Sequence, residues 1–205
     1  MARRGRPRSF DREEALLRAM KVFWALGYEG ATLTDLQKAM GGITAPSLYA
    51  AFGSKEELFR EAVELYSRTL GLPMVNALAE GPTARASIEG LLHAAVAAFC
   101  KRGAPRGCML LLGAINGTPA NKSVRDHLRK LRARREKVIR QRLERGVAEG
   151  ELPMGVDLEA LASFYTTVVD GLAIQARDGA SRKALGFAVR CAMAAWDRLV
   201  VETAS

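Results

Sequence analysis

The chain has 205 residues and a formal net charge of +9; 49% of its residues are hydrophobic and 26% are charged. That balance excludes a disordered chain, supplies a buried core, and favours a polyanionic partner such as nucleic acid. Cys100, Cys108 and Cys191 are the three cysteines, with no C-x-x-C spacing among them. No disulfide framework is therefore expected, and a reducing, cytoplasmic setting is.

The chain begins ARRGRPRSF after its first methionine, with Arg3, Arg4, Arg6 and Arg8 set around Gly5 and Pro7. Proline and glycine keep such a stretch extended, so residues 1–10 are expected to form a flexible basic arm. Arg4-Gly5-Arg6-Pro7 resembles the core of an AT-hook. Arg4 and Arg6 would enter a narrow, A·T-rich minor groove beside a major-groove reader; the alternative is a solubilising tail. Asp11, Arg12, Glu13 and Glu14 follow instead of an apolar run, which argues against a signal peptide. Apolar runs such as LLHAAVAAFC are too short to span a bilayer, so no membrane role is expected.

From Asp11 to Leu26 the apolar residues Ala15, Leu16, Ala19, Met20, Phe23 and Leu26 recur at helical spacing. Asp11 with Glu14 gives a start signal, Phe10 a hydrophobic staple, and Gly27 a stop. Thr32 with Asp35 opens a short helix over about 33–40, Gly41-Gly42 turns the chain, and a second short helix follows over about 45–51. Ser54 with Glu57 opens a longer helix through Leu70, carrying Leu58, Phe59, Ala62, Val63 and Tyr66 on one face. Gly71-Leu72-Pro73 is expected to break it. Further helices are expected over about 83–102, 107–117, 121–149, 157–178 and 182–201, separated by glycine and proline breakers.

The fold class is therefore all-α. A three-helix helix-turn-helix unit over 11–54 joins a bundle over 55–205 through a long helix, about nine helices in all. Leu33, Leu36, Ala39, Ile43, Leu48 and Phe52 have the spacing to pack the two short helices together. The other face of the second short helix stays free, so Thr44, Ala45, Ser47 and Tyr49 can approach a major groove.

The stretch GYEGATLTDLQKAMGGITAPSLYAAFGSKEELF resembles the DNA-binding domain of TetR/AcrR-family transcriptional regulators, most densely in SLYAAFGSKEELF. The resemblance implies an all-helical homodimer whose C-terminal bundle holds a small effector. It implies that Thr32 and Thr44 cap their helices and meet phosphates. Ala45, Pro46 and Ser47 would make base contacts, and Tyr49 and Lys55 would grip the backbone. Ala50 and Ala51 stand where many members carry polar or aromatic residues, which leaves fewer hydrogen-bonding readers; Ala45 and Pro46 could meet thymine methyls. The implied partners are a palindromic double-stranded operator, a second copy of the chain, and a small-molecule effector. The expected activity is repression relieved by that effector.

His93, Met109, Asn116 and Phe164 are the residues expected to line the effector pocket. Leu161, Val168, Leu172, Val189, Met193 and Trp196, on the last two helices, are expected at the dimer interface; the alternative is that those faces are core within one subunit. The basic run 125–145 carries an apolar seam of Leu128, Leu131, Val138, Leu143 and Val147, so it reads as a solvated helix face rather than a second DNA contact. His93 and Cys100 share a helix face, which raises metal or thiol sensing as an alternative. A non-specific architectural DNA-binding protein is the other. No nucleophile elbow, Walker loop, zinc-protease or dinucleotide motif is present, so neither an enzyme, a cofactor nor a metal is expected.

Overall fold

The computed structural model describes residues 10–113 and 118–202. Among these residues there is no strand. The first helix, α1 (Arg12–Gly30), starts where the Asp11 carboxylate accepts from the amides of Glu13 and Glu14. Glu14 does not complete a reciprocal box; it pairs with Arg18 one turn on. Gly27 interrupts α1 with φ 73° and ψ 174°, a conformation that essentially only glycine adopts. The expected stop is thus a sharp kink, with one more turn beyond it.

Next come α2 (Leu33–Ala39), α3 (Ala45–Phe52) and α4 (Lys55–Tyr66), each opened by a hydroxyl cap from Thr32, Thr44 or Ser54. The chain does not break at Gly71-Leu72-Pro73, contrary to the sequence expectation. A π-turn over Ser67–Gly71 carries α4 directly into α5 (Leu72–Glu80), with Pro73 in its first turn. Proline lacks an amide and crowds the carbonyl four residues back, and the wider π-turn accommodates it without ending the rod.

The bundle continues with α6 (Ala84–Phe99), α7 (Met109–Leu112), α8 (Lys122–Ala148), α9 (Leu158–Arg177), α10 (Arg182–Ala194) and α11 (Trp196–Glu202). Of the expected helix over 107–117, the described residues to Gly113 form a helix at Met109–Leu112, and the expected helix over 182–201 is two helices meeting at Ala195. At the centre of the bundle, α6 packs against α5, α8, α9 and α10. Ile88, Leu92 and Phe99 are fully buried there, each contributing about 1.5–3 kcal/mol by the area it removes from water.

The N-terminal helices share their core with α4. Phe23 meets Phe59 edge-on at 5.1 Å between centroids, Trp24 meets Tyr66 at 5.0 Å, and Tyr28 meets Phe59 at 5.1 Å. On α8 most cations face solvent as expected, but Arg142 is buried, its Nε donating to Ser87 Oγ at 2.8 Å. Its guanidinium also pairs with Glu151 at 3.3 Å, clamping the end of α8 to the start of α6.

Candidate nucleic-acid interface

The turn between α2 and α3 is built by residues without much freedom. Gly41 and Gly42 take φ of 92° and 75°, and Gln37 Nε2 donates to the Ile43 carbonyl at 3.0 Å. Leu36, Met40, Ile43, Leu48 and Phe52 are buried between the helices, with Leu33 and Ala39 half-buried. Because Leu48 and Phe52 face inward, the opposite side of α3 faces out. Tyr49 is 45% exposed, Thr44, Pro46 and Ala50 are exposed, and Ala45 and Ser47 are half-buried. No element of the bundle covers this face among the described residues.

The two short helices differ at their N-termini. At α2, Asp35 fills the end: its carboxylate accepts from the Thr32 amide at 3.0 Å and the Thr32 hydroxyl at 2.6 Å. Those bonds hold its carboxyl below the usual range, so Asp35 is an anion in place. A phosphate expected at Thr32 would meet that charge. The first turn of α3 has no acidic residue, and Thr44 caps it by accepting from the Ser47 amide at 3.4 Å. Its end is open to a phosphate.

Lys55 does not project freely. Its ammonium lies over the Tyr28 ring at 4.6 Å, and partial burial lowers its pKa, opposed by Glu29. Arg12, which the sequence reading passed over, locks the unit. It pairs with both oxygens of Glu61 at 2.7 and 2.8 Å, donates to the Ala51 carbonyl at 3.3 Å, and sits over the Phe52 ring at 4.4 Å. A charge pattern of Arg12 with Glu61 was its only signal, too far apart in sequence to be read. Arg4 and Arg6 lie outside the described residues.

The N-terminal helical unit is joined to the bundle by specific bonds at α1. Beyond the Gly27 kink, the Tyr28 amide donates to the Gly113 carbonyl at 2.7 Å. Trp24 Nε1 donates to the Gly107 carbonyl at 3.1 Å, and Arg177 reaches the carbonyls of Trp24 and Ala25. Asn121 donates to Glu29 at 2.9 Å, and Ser123 to Glu56 at 2.9 Å.

A cavity of about 320 Å³ lies beside α7, walled by α5, α8, the π-turn and Leu91 of α6. Its lining differs from the pocket expected from the sequence. His93 is exposed on the outer side of α6, Phe164 is on the outer face of α9, and Met109 is buried core; none of them lines the cavity. Asn116 lies outside the described residues. Helical periodicity marks what is buried, not where packing stops short, and the space opens where the π-turn sets α5 aside and Gly71 brings no side chain.

The residues expected at a dimer interface are mostly packed inside the single subunit. Leu161, Leu172, Val189, Met193 and Trp196 are buried within the single subunit, and Val168 is half-buried. On these last helices the large apolar residues left exposed are Phe164 and Ile174 on α9, Phe187 on α10 and Val201 on α11. Cys100 is half-buried near Arg106, and Cys191 is exposed. Among the described residues no three His, Cys, Asp or Glu side chains come together as a metal site. No described helix is long and apolar enough to cross a membrane.

Residues 15–62 match the family described as bacterial regulatory proteins, tetR family, and residues 84–195 match the tetracyclin repressor-like C-terminal domain. The chain is 33% identical to the HTH-type transcriptional repressor ComR of Escherichia coli (strain K12), over 96% of this chain and 94% of that protein. It is 29% identical to the repressor BdcR of the same organism, over 97% and 93%. Among solved structures, a cysteine-substituted form of the TetR family regulator CifR, complexed with 26-base-pair double-stranded operator DNA, is 48% identical with a TM-score of 0.90, over 93% of this chain and 100% of that one.

Proposed function

The chain belongs to the TetR family of bacterial regulatory proteins, and on that premise we propose that it is a cytoplasmic repressor that holds a palindromic operator as a homodimer and releases it when a small molecule fills the cavity beside α7. The observation that carries the DNA-binding half is the outer face of α3. A buried Leu48 and Phe52 fix the helix, while Thr44, Pro46, Ser47 and Tyr49 stand clear of the bundle. Thr44 and the open end of α3 take a phosphate, Ala45, Pro46 and Ser47 meet base edges, and Tyr49 takes the backbone. Lys55 acts from its seat over Tyr28, as a partly buried cation close to the same groove. Arg4 and Arg6 of the arm reach the neighbouring minor groove. The units so divided are an arm over 1–10, a reader over 11–54 and a bundle over 55–205, with α4 shared between the cores of the last two.

The relatives support the reading in kind: two of them are named as HTH-type transcriptional repressors, and CifR is complexed with operator DNA. For dimerisation, the exposed Phe164, Ile174 and Phe187 of α9 and α10 replace the buried residues expected from sequence. Two such faces related by a two-fold axis bury each other. The readers then stand about one helical turn of DNA apart, roughly 34 Å.

Release is supported by α7. Cys108 and Leu110 line the cavity, and the ends of the same segment, Gly107 and Gly113, hold Trp24 and Tyr28 of α1. A ligand that favours a displaced α7 therefore shifts α1 and, through Tyr28 under Lys55, the start of α4. The shift is limited to the ligand's difference in affinity between the two states. The test is a titration of the purified protein on genomic duplex it selects and on scrambled duplex of equal length and salt. Tyr49→Ala is expected to lower affinity on both, and Ser47→Ala to change the preference. Equal affinity for selected and scrambled duplex overturns the reading in favour of a non-specific DNA-coating protein.

A further inference from the structure

We infer that the effector cavity selects amphipathic monocarboxylates, with the apolar body of the ligand inside and its carboxylate at the mouth, held by Arg134. The assignment rests on the reading of the cavity beside α7 as the effector site.

The apolar part follows from the walls. Met74, Val75, Leu78, Leu91, Val138 and Ile139 line a space of about 320 Å³, a volume that suits a small molecule. A second space of about 210 Å³ shares Val75, Leu78 and Val138 and continues between α5 and α8 past Gln141. Together they form one apolar trough. From Arg134 to Gln141 it follows about 10 Å of α8, at the helical rise of about 1.5 Å per residue. Val75 is 52% exposed, so the trough opens to solvent on the α5 side. An elongated apolar body laid there leaves water on most sides, which favours its entry.

Charge decides what the other end of the ligand is. Arg134, Arg135, Arg142 and Arg145 line the two spaces, and no Asp or Glu does. Arg135 is paired with Asp170, Arg142 with Glu151 and Arg145 with Glu149. Arg134 is exposed and has neither an ion pair nor a hydrogen bond among the described residues. Its planar fork matches a carboxylate through two parallel bonds. At the solvent edge the carboxylate keeps part of its hydration, so the large penalty of burying an ion does not arise. A neutral amide forms no such charge-assisted pair. An ammonium would lie beside Arg134 with no acid in the lining to answer it.

The experiment uses the full-length protein and three probes of one chain length: octanoate, octanamide and octylamine. Binding is read by calorimetry without DNA at neutral pH, and operator release by fluorescence anisotropy. Octanoate is expected to bind about fivefold more tightly than octanamide, with octylamine weakest. Arg134→Gln, an exposed substitution, is expected to erase that preference and leave octanamide affinity as it was. Lys137→Gln, which removes an exposed cation of α8 outside the lining, is expected to keep it. Val75→Trp, at the open side shared by both spaces, is expected to abolish binding while the unfolding midpoint persists. Failure of octanoate to bind, octanamide or octylamine binding as tightly, or octanoate binding indifferent to Val75→Trp overturns the assignment. So does a preference that survives Arg134→Gln, or one that Lys137→Gln removes equally. Octanoate binding without operator release upholds the ligand class and overturns the release step instead.

Discussion

The reader around α3 and the bundle around α7 are both built of amphipathic helices, yet the proposed function puts their working parts in opposite places. In the reader, function lies on what packing leaves outside: Leu48 and Phe52 go in, so Tyr49 and Pro46 come out. In the bundle, the proposed effector site lies in what packing fails to fill, a space bounded by the π-turn and α7. An outward face follows from the helical period alone, whereas a void depends on how several helices meet.

The largest effect that sharpens this contrast comes from neighbouring residues of α3. Leu48→Ala is expected to lower the unfolding free energy by about 2–5 kcal/mol, through lost burial and the cavity left behind. Tyr49→Ala should change it by less than about 0.5 kcal/mol, as an exposed substitution, while weakening DNA binding. Chemical denaturation and anisotropy on the same preparations separate the two. A Tyr49→Ala variant as unstable as Leu48→Ala would mean the face is not free.

Gly27 joins the two regions and comes next in size. Alanine there must hold φ near 73°, which costs about 1–3 kcal/mol. It should also loosen the Tyr28–Gly113 bond, so effector response is expected to fall more than operator affinity. Equal loss of both would count against α7 as the connection.

Smaller still are the caps. Thr32→Ala and Thr44→Ala should each cost about 1 kcal/mol of stability. Only Thr44→Ala is expected to lose operator affinity in addition, because Asp35 occupies the end of α2 and nothing acidic occupies that of α3. Matching losses of affinity would erase the distinction between the two helix ends.

The smallest effect is on pH dependence. Burial, then the charge of Arg60 with a further push from Lys130, lowers the pKa of His127 on α8, against the pull of Glu56. The unfolded chain, near 6.5, takes up its proton first on acidification. The His127 contribution to stability is therefore full above that pH and is lost as pH falls below it, toward the folded value. His127→Gln should flatten the stability profile over that window alone, as followed by thermal unfolding at a series of pH values.

What could be read in advance follows the same division. The capping pairs Thr32–Asp35 and Ser54–Glu57 and the apolar stripes were legible because they lie within one or two turns of chain. Such stripes place core residues well: Leu161, Val189 and Trp196, expected at a dimer interface, are buried inside one subunit. The π-turn at Ser67–Gly71 was hidden because proline and glycine usually break a helix. Arg12–Glu61 and Tyr28–Gly113 join residues too distant in sequence for spacing to reveal.

The most direct test of the central claim compares affinities of the wild-type protein and of a Pro46→Ala, Ser47→Ala, Tyr49→Ala triple variant for a selected palindromic duplex and for its scrambled counterpart at one salt concentration. The outer face of α3 predicts a wild-type preference of at least about a thousandfold, largely abolished in the variant while its helicity and unfolding midpoint persist. A variant that keeps the full preference would place sequence recognition elsewhere on the molecule and contradict the account.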